Sequence, residues 1–205
     1  MWQRRLLVLL IVVAFPSGVA SGQSMGTTVS LDFGMYYATL QGDDFAEAKG
    51  AIGFDGVVRY RSPSFSLGVG YMWVDHDREG FSSDTRYLDG VFIEPRFSLP
   101  PVRGIFSTYV MGRAARLHQE LTTDIDDIAT DLKSDGYSIG GGVGLAGQAA
   151  FLAFDISVYY SAVSFGDFEA PARDGTIPGS SANGSSLGVR FASALVFGPW
   201  GRGSD

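Results

Sequence analysis

The chain has 205 residues, no cysteine, a formal charge of −7, 28 glycines, 13% aromatic residues and only 18% charged ones. Without cysteine there is no disulfide framework, no Cys-ligated zinc and no thiol nucleophile, and the acidic balance argues against a nucleic-acid partner, whose phosphates call for clustered Lys and Arg. Abundant glycine and aromatics with little charge mark a β-rich chain rather than a disordered one.

Residues 1–22 read as a secretory signal peptide of the Sec type. Arg4 and Arg5 form a positive n-region, Leu6–Phe15 is an unbroken apolar core, and Pro16 and the small residues up to Gly22 supply a cleavage region. The apolar core is too short for a membrane helix, which needs about 20 residues. Loss of Arg4 and Arg5 with this leader takes the formal charge from −7 to −9.

Eight segments then alternate with turns, each with a period of two. Thr28–Leu40 sets Val29, Leu31, Phe33, Met35 and Tyr37 against Ser30, Asp32, Gly34 and Tyr36. Ala51–Arg61 sets Ile52, Phe54, Val58 and Tyr60 against Gly53, Asp55, Val57 and Arg59. A short Ser62-Pro63-Ser64 turn leads to Phe65–Val74, with Leu67, Val69, Tyr71 and Trp73 on the apolar side. Thr85–Leu99 places Tyr87, Val91, Ile93 and Phe97 opposite Leu88, Phe92, Glu94 and Arg96. Asp89 and Pro95 interrupt its apolar face, and Pro95, lacking a ladder donor, predicts a bulge or a frayed end.

Ile105–Leu117 alternates least clearly, with Phe106, Thr108, Val110 and Ala114 on one face and Tyr109, Met111 and Arg113 on the other. Gln119–Asp135 reads as a long acidic loop with scope for a short helical turn. Tyr137–Gly147 sets Ile139, Val143 and Leu145 against Gly140, Gly142 and Gly144, glycines that leave lumen space for Tyr109, Met111 or Arg113. Phe151–Phe165 sets Leu152, Phe154, Ile156, Val158 and Tyr160 against Ala153, Asp155, Ser157 and Tyr159. Gly166–Gly184 is the longest predicted loop, and Ser185–Phe197 closes the series.

Connections alternate long and short, as in up-and-down antiparallel hairpins, and an even strand number lets the sheet close. Which face meets water is decided by three features. Only two lysines occur, Lys49 and Lys133, both in predicted loops, whereas a solvated strand surface carries several. The less apolar face is mostly Gly, Ser and Ala. Aromatics cluster at both strand ends: Tyr60, Phe65, Phe97, Phe106, Phe151 and Phe197 by the short turns, and Tyr37, Trp73, Tyr87, Tyr137 and Tyr160 by the long loops. The fold class is therefore an all-β, eight-stranded antiparallel up-and-down transmembrane β-barrel spanning residues 23–198, followed by a polar tail, 199–205.

With lipid outside, Asp32, Asp55, Glu94 and Asp155 share the interior with Arg59, Arg96, Arg113 and Arg190, four acids against four arginines. Eight strands leave an interior that side chains can fill, so this set is expected to be a structural salt-bridge network.

Strand count, turn alternation and the last strand together resemble the eight-stranded outer-membrane barrels, the OmpA-transmembrane-domain and OmpX-like group of small porin-family barrels. The resemblance implies an outer-membrane location. It also implies a last strand read by the barrel-assembly machinery, a signal that Leu187, Val189, Phe191, Leu195 and Phe197 resemble. The chain departs from that pattern by continuing through Pro199 and Trp200.

His76, between Asp75 and Asp77, and His118, near Glu120, are the candidates for acid–base chemistry. A Ser-His-acid site needs convergence in space, and no compact His-x-Ser pair lies in a strand, so no catalytic residue is assigned. Asp124, Asp126, Asp127 and Asp131 lack the glycine and distal Glu of a calcium loop, and no metal or cofactor is expected. The four long loops carry about −2, −3, −5 and −2 charges, a rim suited to divalent cations or lipopolysaccharide. The expected protein is a monomer in contact with outer-membrane lipid, with a structural, envelope-integrity or surface-interaction role. A narrow passive pore and a lipid A-modifying enzyme are the alternatives.

Overall fold

The computed structural model describes residues 27–45, 50–77, 85–99, 106–125, 128–149, 151–170 and 175–198. Residues 1–22, read above as a signal peptide, and the tail 199–205 lie outside them. The strands are β1 (Thr28–Gln41), β2 (Ala51–Arg61), β3 (Phe65–Asp77), β4 (Thr85–Ser98), β5 (Phe106–Ile125), β6 (Ile128–Ala149), β7 (Leu152–Phe165), β8 (Phe168–Ala170), β9 (Gly175–Ile177) and β10 (Ala182–Phe197). Neighbours in sequence pair from β1 to β7, and β10 pairs with both β7 and β1. Eight strands thus close into an antiparallel barrel.

Every wall ladder keeps one register along its length. Ladder partners traced from Leu31 run through Val58, Val69, Ile93, Ala114, Ile139, Ala162 and Ser185, and return to β1 at Gln41, ten residues beyond the start. A stagger of that size, with a rise of about 3.3 Å per residue and strands about 4.8 Å apart, sets the strand tilt near 40° and the backbone radius near 8 Å. Such a tube is filled by side chains.

The alternation places the apolar set outside. Val58, Val69, Ile139 and Val143 are each more than half exposed, while Asp32, Glu94 and Arg190 are at most 1% exposed. A soluble barrel would show the reverse, so the outer face is a lipid-facing band. The aromatic girdles stand where the alternation puts them, with Tyr60, Phe97, Phe151 and Phe197 exposed at one end and Tyr37, Trp73, Tyr137 and Tyr160 at the other.

Three expectations are corrected. Gln119–Asp135 is not a loop, and its described residues hold no helical turn: β5 runs on to Ile125 and β6 starts at Ile128, so the segment is a hairpin rising beyond the wall. Its acids disguised an alternation that persists in Leu117, Gln119 and Leu121 and in Leu132 and Ser134, all buried. Among the described residues the last rung shared with β4 is Thr85–Thr122, and above it β5 pairs with β6 alone. Within Gly166–Gly184, β8 and β9 likewise pair antiparallel with each other and join β6 at Lys133–Glu169. Leu121, Leu132, Phe168 and Ala170 make its apolar core. Pro95 produces no bulge: the β4–β5 ladder skips Glu94 and Pro95 and resumes at Arg96–Met111 in unchanged register.

The mouth carries a cork. A short 3-10 turn, Asp43–Phe45, folds inward behind Gly42 and buries the Phe45 ring against the edge of Phe165, with the Arg86 guanidinium 5.2 Å from its centroid. Gly184 permits this approach, since a Cβ there would meet Phe45 Cδ2 at 2.7 Å.

Candidate functional site

The only dense cluster of charged side chains in the described barrel interior lies in the lower and middle lumen, and it is built from inward positions of six strands. β1 supplies Asp32, β2 supplies Asp55 and Arg59, β4 supplies Glu94 and Arg96, β5 supplies Arg113, β7 supplies Asp155 and β10 supplies Arg190; Tyr109 of β5 and Ala146 of β6 pack beside them. All eight charged residues predicted from the alternation converge.

Glu94 is the hub. Its Oε1 accepts from Arg59 Nη2 at 2.6 Å and Arg96 Nε at 2.8 Å, and its Oε2 accepts from Arg113 Nε at 2.8 Å and from Arg113 Nη2. Arg59 turns its Nε to Asp32 at 2.7 Å. Arg190 forks onto Asp55 with Nε and Nη2 at 2.7 and 2.6 Å, and reaches Asp155 with Nη1 at 3.1 Å. Asp155 also accepts from Arg96 Nη1 at 3.1 Å and from the Tyr109 hydroxyl at 3.0 Å. Paired, hydrogen-bonded charge is the condition under which ions are tolerated out of water.

Residues absent from the predicted set complete it. Arg61, at the end of β2, donates from Nη2 to Asp32 at 3.0 Å and from Nε to Ser30 at 2.8 Å, making a fifth arginine. Its place at a strand terminus hid it, because alternation loses meaning where a strand ends. Aromatic faces serve the remaining guanidinium surface: Arg96 lies 4.4 Å from the Tyr109 centroid, and Arg113 lies 4.2 Å from Phe92 and 5.0 Å from Tyr159. The glycines of β6 make room as expected at Gly144, which sits under the Tyr109 ring.

The histidines lie elsewhere. His118 is on the outer face of the β5–β6 hairpin, where its Nδ1 donates to Asp135 Oδ1 at 2.9 Å and Arg116 Nη2 donates to Asp135 Oδ2 at 3.1 Å. These two hydrogen bonds hold the Asp135 carboxyl below the usual carboxylate range. Serine is not among the hydrogen-bond partners of His118 among the described residues, so a hydroxyl–imidazole–carboxylate arrangement is not assembled there. His76 stands opposite Arg86 in the β3–β4 ladder. Of the acidic-loop residues, Asp131 accepts from Thr122 at 2.9 Å, and Asp126 and Asp127 lie outside the described residues. Among the described residues no group of three or more His, Asp or Glu side chains is placed to hold a metal ion.

The terminal-strand residues Leu187, Val189, Phe191, Leu195 and Phe197 form the outward face of β10; Leu187, Phe191, Leu195 and Phe197 are exposed and Val189 is half-buried. β10 pairs with both β7 and β1, so this strand closes the barrel.

No family model and no curated protein matches the chain. Solved structures do. The chain is similar to Neisserial surface protein A of Neisseria, with 12% identity and a TM-score of 0.58 over 84% of this chain and 98% of that one. It is similar to a major outer membrane protein of Thermus thermophilus, with 12% identity and a TM-score of 0.55 over 84% of this chain and 100% of that one. It is also similar to the translocator domain of the autotransporter NalP of Neisseria meningitidis, with 8% identity and a TM-score of 0.50 over 83% of this chain and 88% of that one. At these identities the likeness is one of fold, and the fold is that of the outer-membrane β-barrels.

Proposed function

We propose that the protein is a small, non-conducting barrel of the outer membrane that serves an envelope-integrity or surface-interaction role. The observation that carries this reading is the lumen: five arginines and four carboxylates bond one another across the tube, from Arg61 and Asp32 near the short-turn end to Arg113 and Asp55 at mid-height. A lumen so filled transmits nothing steadily, and the features left to act are the lipid-facing wall and the raised β5–β6–β8–β9 sheet. Its partners in this reading are outer-membrane lipid, the barrel-assembly machinery acting on β10, and divalent cations or lipopolysaccharide at the acidic rim.

Planar-bilayer recording of the purified barrel tests the reading. No steady open state is expected, and a stable conductance at neutral pH would overturn it in favour of a narrow pore.

A further inference from the structure

Above the charge network the lumen changes character. Between the Arg113 level and the Phe45 cork lies a cavity of about 30 Å³, lined by the apolar Leu40, Met72, Val74, Leu88, Leu117 and Val163. Hydroxyl residues Tyr36, Ser138, Tyr159, Ser161 and Ser186 line it too, as does Arg113. Three observations bear on what this chamber holds.

The first is an orphan cation arm. Arg113 uses Nε and Nη2 on Glu94, and Nη2 also lies 3.8 Å from Asp55, but its Nη1 is buried with no hydrogen-bond partner. A buried, unpartnered guanidinium N–H is costly unless something accepts from it. The second is the number of hydroxyl groups in the lining, which holds Ser138, Ser161 and Ser186 beside Tyr36 and Tyr159.

The third is the sign of the charge. Among the described inward residues above Asp55 there is no carboxylate: the walls there are Tyr36, Ala38 and Leu40, Met72 and Val74, Leu88, Leu117 and Gln119, Ser138, Ser161 and Val163, and Ser186. Arg113 is the one charged residue in the chamber's lining, where no carboxylate stands. Counted with Arg113, the network beneath carries five arginines against four acids, one positive charge in excess. A low-dielectric chamber walled by hydroxyl donors and one guanidinium group favours a negative occupant over a neutral one.

We propose that this chamber is a binding site for a small monatomic anion of the chloride class, held by Arg113 Nη1 and the hydroxyls of Ser138, Ser161 and Ser186. The volume sets the size. A water-sized occupant needs about 10–15 Å³ of such space, so a chamber of about 30 Å³ has room for two or three of them and admits a chloride-sized ion. The inference is independent of whether the barrel adheres, stabilises the envelope or does both.

Bromide is the probe. Crystals of the full chain grown in sodium bromide are expected to show an anomalous peak in the chamber within hydrogen-bonding reach of Arg113 Nη1. At constant ionic strength, exchanging gluconate for bromide is expected to raise the unfolding midpoint, as binding to the native state alone requires. Arg113→Met removes the main ligand but also disturbs Glu94, so Ser161→Ala, which changes the lining and leaves the network intact, is the second variant. Its bromide-dependent gain is expected to fall at least several-fold. Water without anomalous signal in the chamber, or equal stabilisation by bromide and gluconate, would overturn the proposal. So would a Ser161→Ala protein whose response to bromide is unchanged.

Discussion

Arg190 sits on β10 and Asp55 on β2, yet the two form a two-pronged bond, Nε to Oδ2 at 2.7 Å and Nη2 to Oδ1 at 2.6 Å, that passes over the whole width of β1. β1 and β10 are the first and last strands, so this clasp crosses the seam at which the sheet becomes a tube. Bidentate guanidinium–carboxylate geometry is directional; only the closed register brings these two groups into it.

Glu94 is the group whose loss harms the lumen most. Three arginines converge on it, so Glu94→Ala leaves buried cations without their common acceptor. Breaking a buried ion pair from one side costs about 3–5 kcal/mol, and the hub position puts this variant at the upper end. Urea unfolding in lipid vesicles is the measurement; a loss under about 1 kcal/mol would show that the arginines find other acceptors, contrary to the geometry.

Much of this network is legible in the sequence, and the reason is period two. In a closed barrel each inward residue is forced to meet the others, so a list of inward charges in β1, β2, β4, β5, β7 and β10 is already a list of the network's members. What period two does not contain is the stagger. That Arg59 of β2 reaches Glu94 of β4 while Arg190 of β10 reaches Asp55 depends on the tilt and on registers that a single strand does not encode. The raised β5–β6 hairpin escapes for a different reason. Outward acids such as Glu120, Asp131 and Asp135 look like a loop when judged by composition, because beyond the bilayer the outer face of a strand is polar.

The wall should respond to charge by depth. Val69 lies midway along β3 between the girdle residues Phe65 and Trp73, whereas Ile52 is the ladder partner of the girdle residue Tyr37. Arginine on a lipid face costs about 2–4 kcal/mol at the bilayer midplane and about 0–1 near the interfaces. Val69→Arg is therefore expected to weaken folding into vesicles by the larger amount and Ile52→Arg by the smaller. Equal costs would mean that the apolar band is not centred where the two girdles place it.

Asp135 links the raised hairpin to pH. Its folded value lies below the ordinary 3.8 because His118 and then Arg116 hydrogen-bond the charged form. A depressed carboxyl contributes stability that is fully present above its unfolded value and disappears as pH falls through the folded one. The groups are largely exposed and solvent-screened, so the contribution is under about 1 kcal/mol. Asp135→Asn is expected to speed amide exchange in the β5–β6 hairpin at neutral pH, and the difference from the parent chain should close on acidification below the ordinary carboxylate range. A difference that survives at the lowest pH would assign the effect to something other than these two hydrogen bonds.

Gly34 is where the clasp passes over β1. A Cβ at this position would stand 2.6 Å from Arg190 Nε, 2.7 Å from Arg190 Nη2 and still nearer Asp55 Oδ1. Neither partner has room to retreat, since Arg190 is also tied to Asp155 and is wholly buried. Gly34→Ala therefore forces the seam-crossing bond apart. Overpacking of this kind costs about 1–3 kcal/mol in a tight interior, with the loss of the bidentate bond in addition. Gly56, which pairs with Phe33 on the same two strands, has nothing within 4 Å of a Cβ, and Gly56→Ala is expected to stay within about 0.5 kcal/mol of the parent. The contrast separates a steric effect on the clasp from a general intolerance of alanine in β1 and β2. If Gly34→Ala and Gly56→Ala unfold at the same urea concentration, the Arg190–Asp55 bond does not hold the seam, and closure rests on the β1–β10 backbone ladder alone.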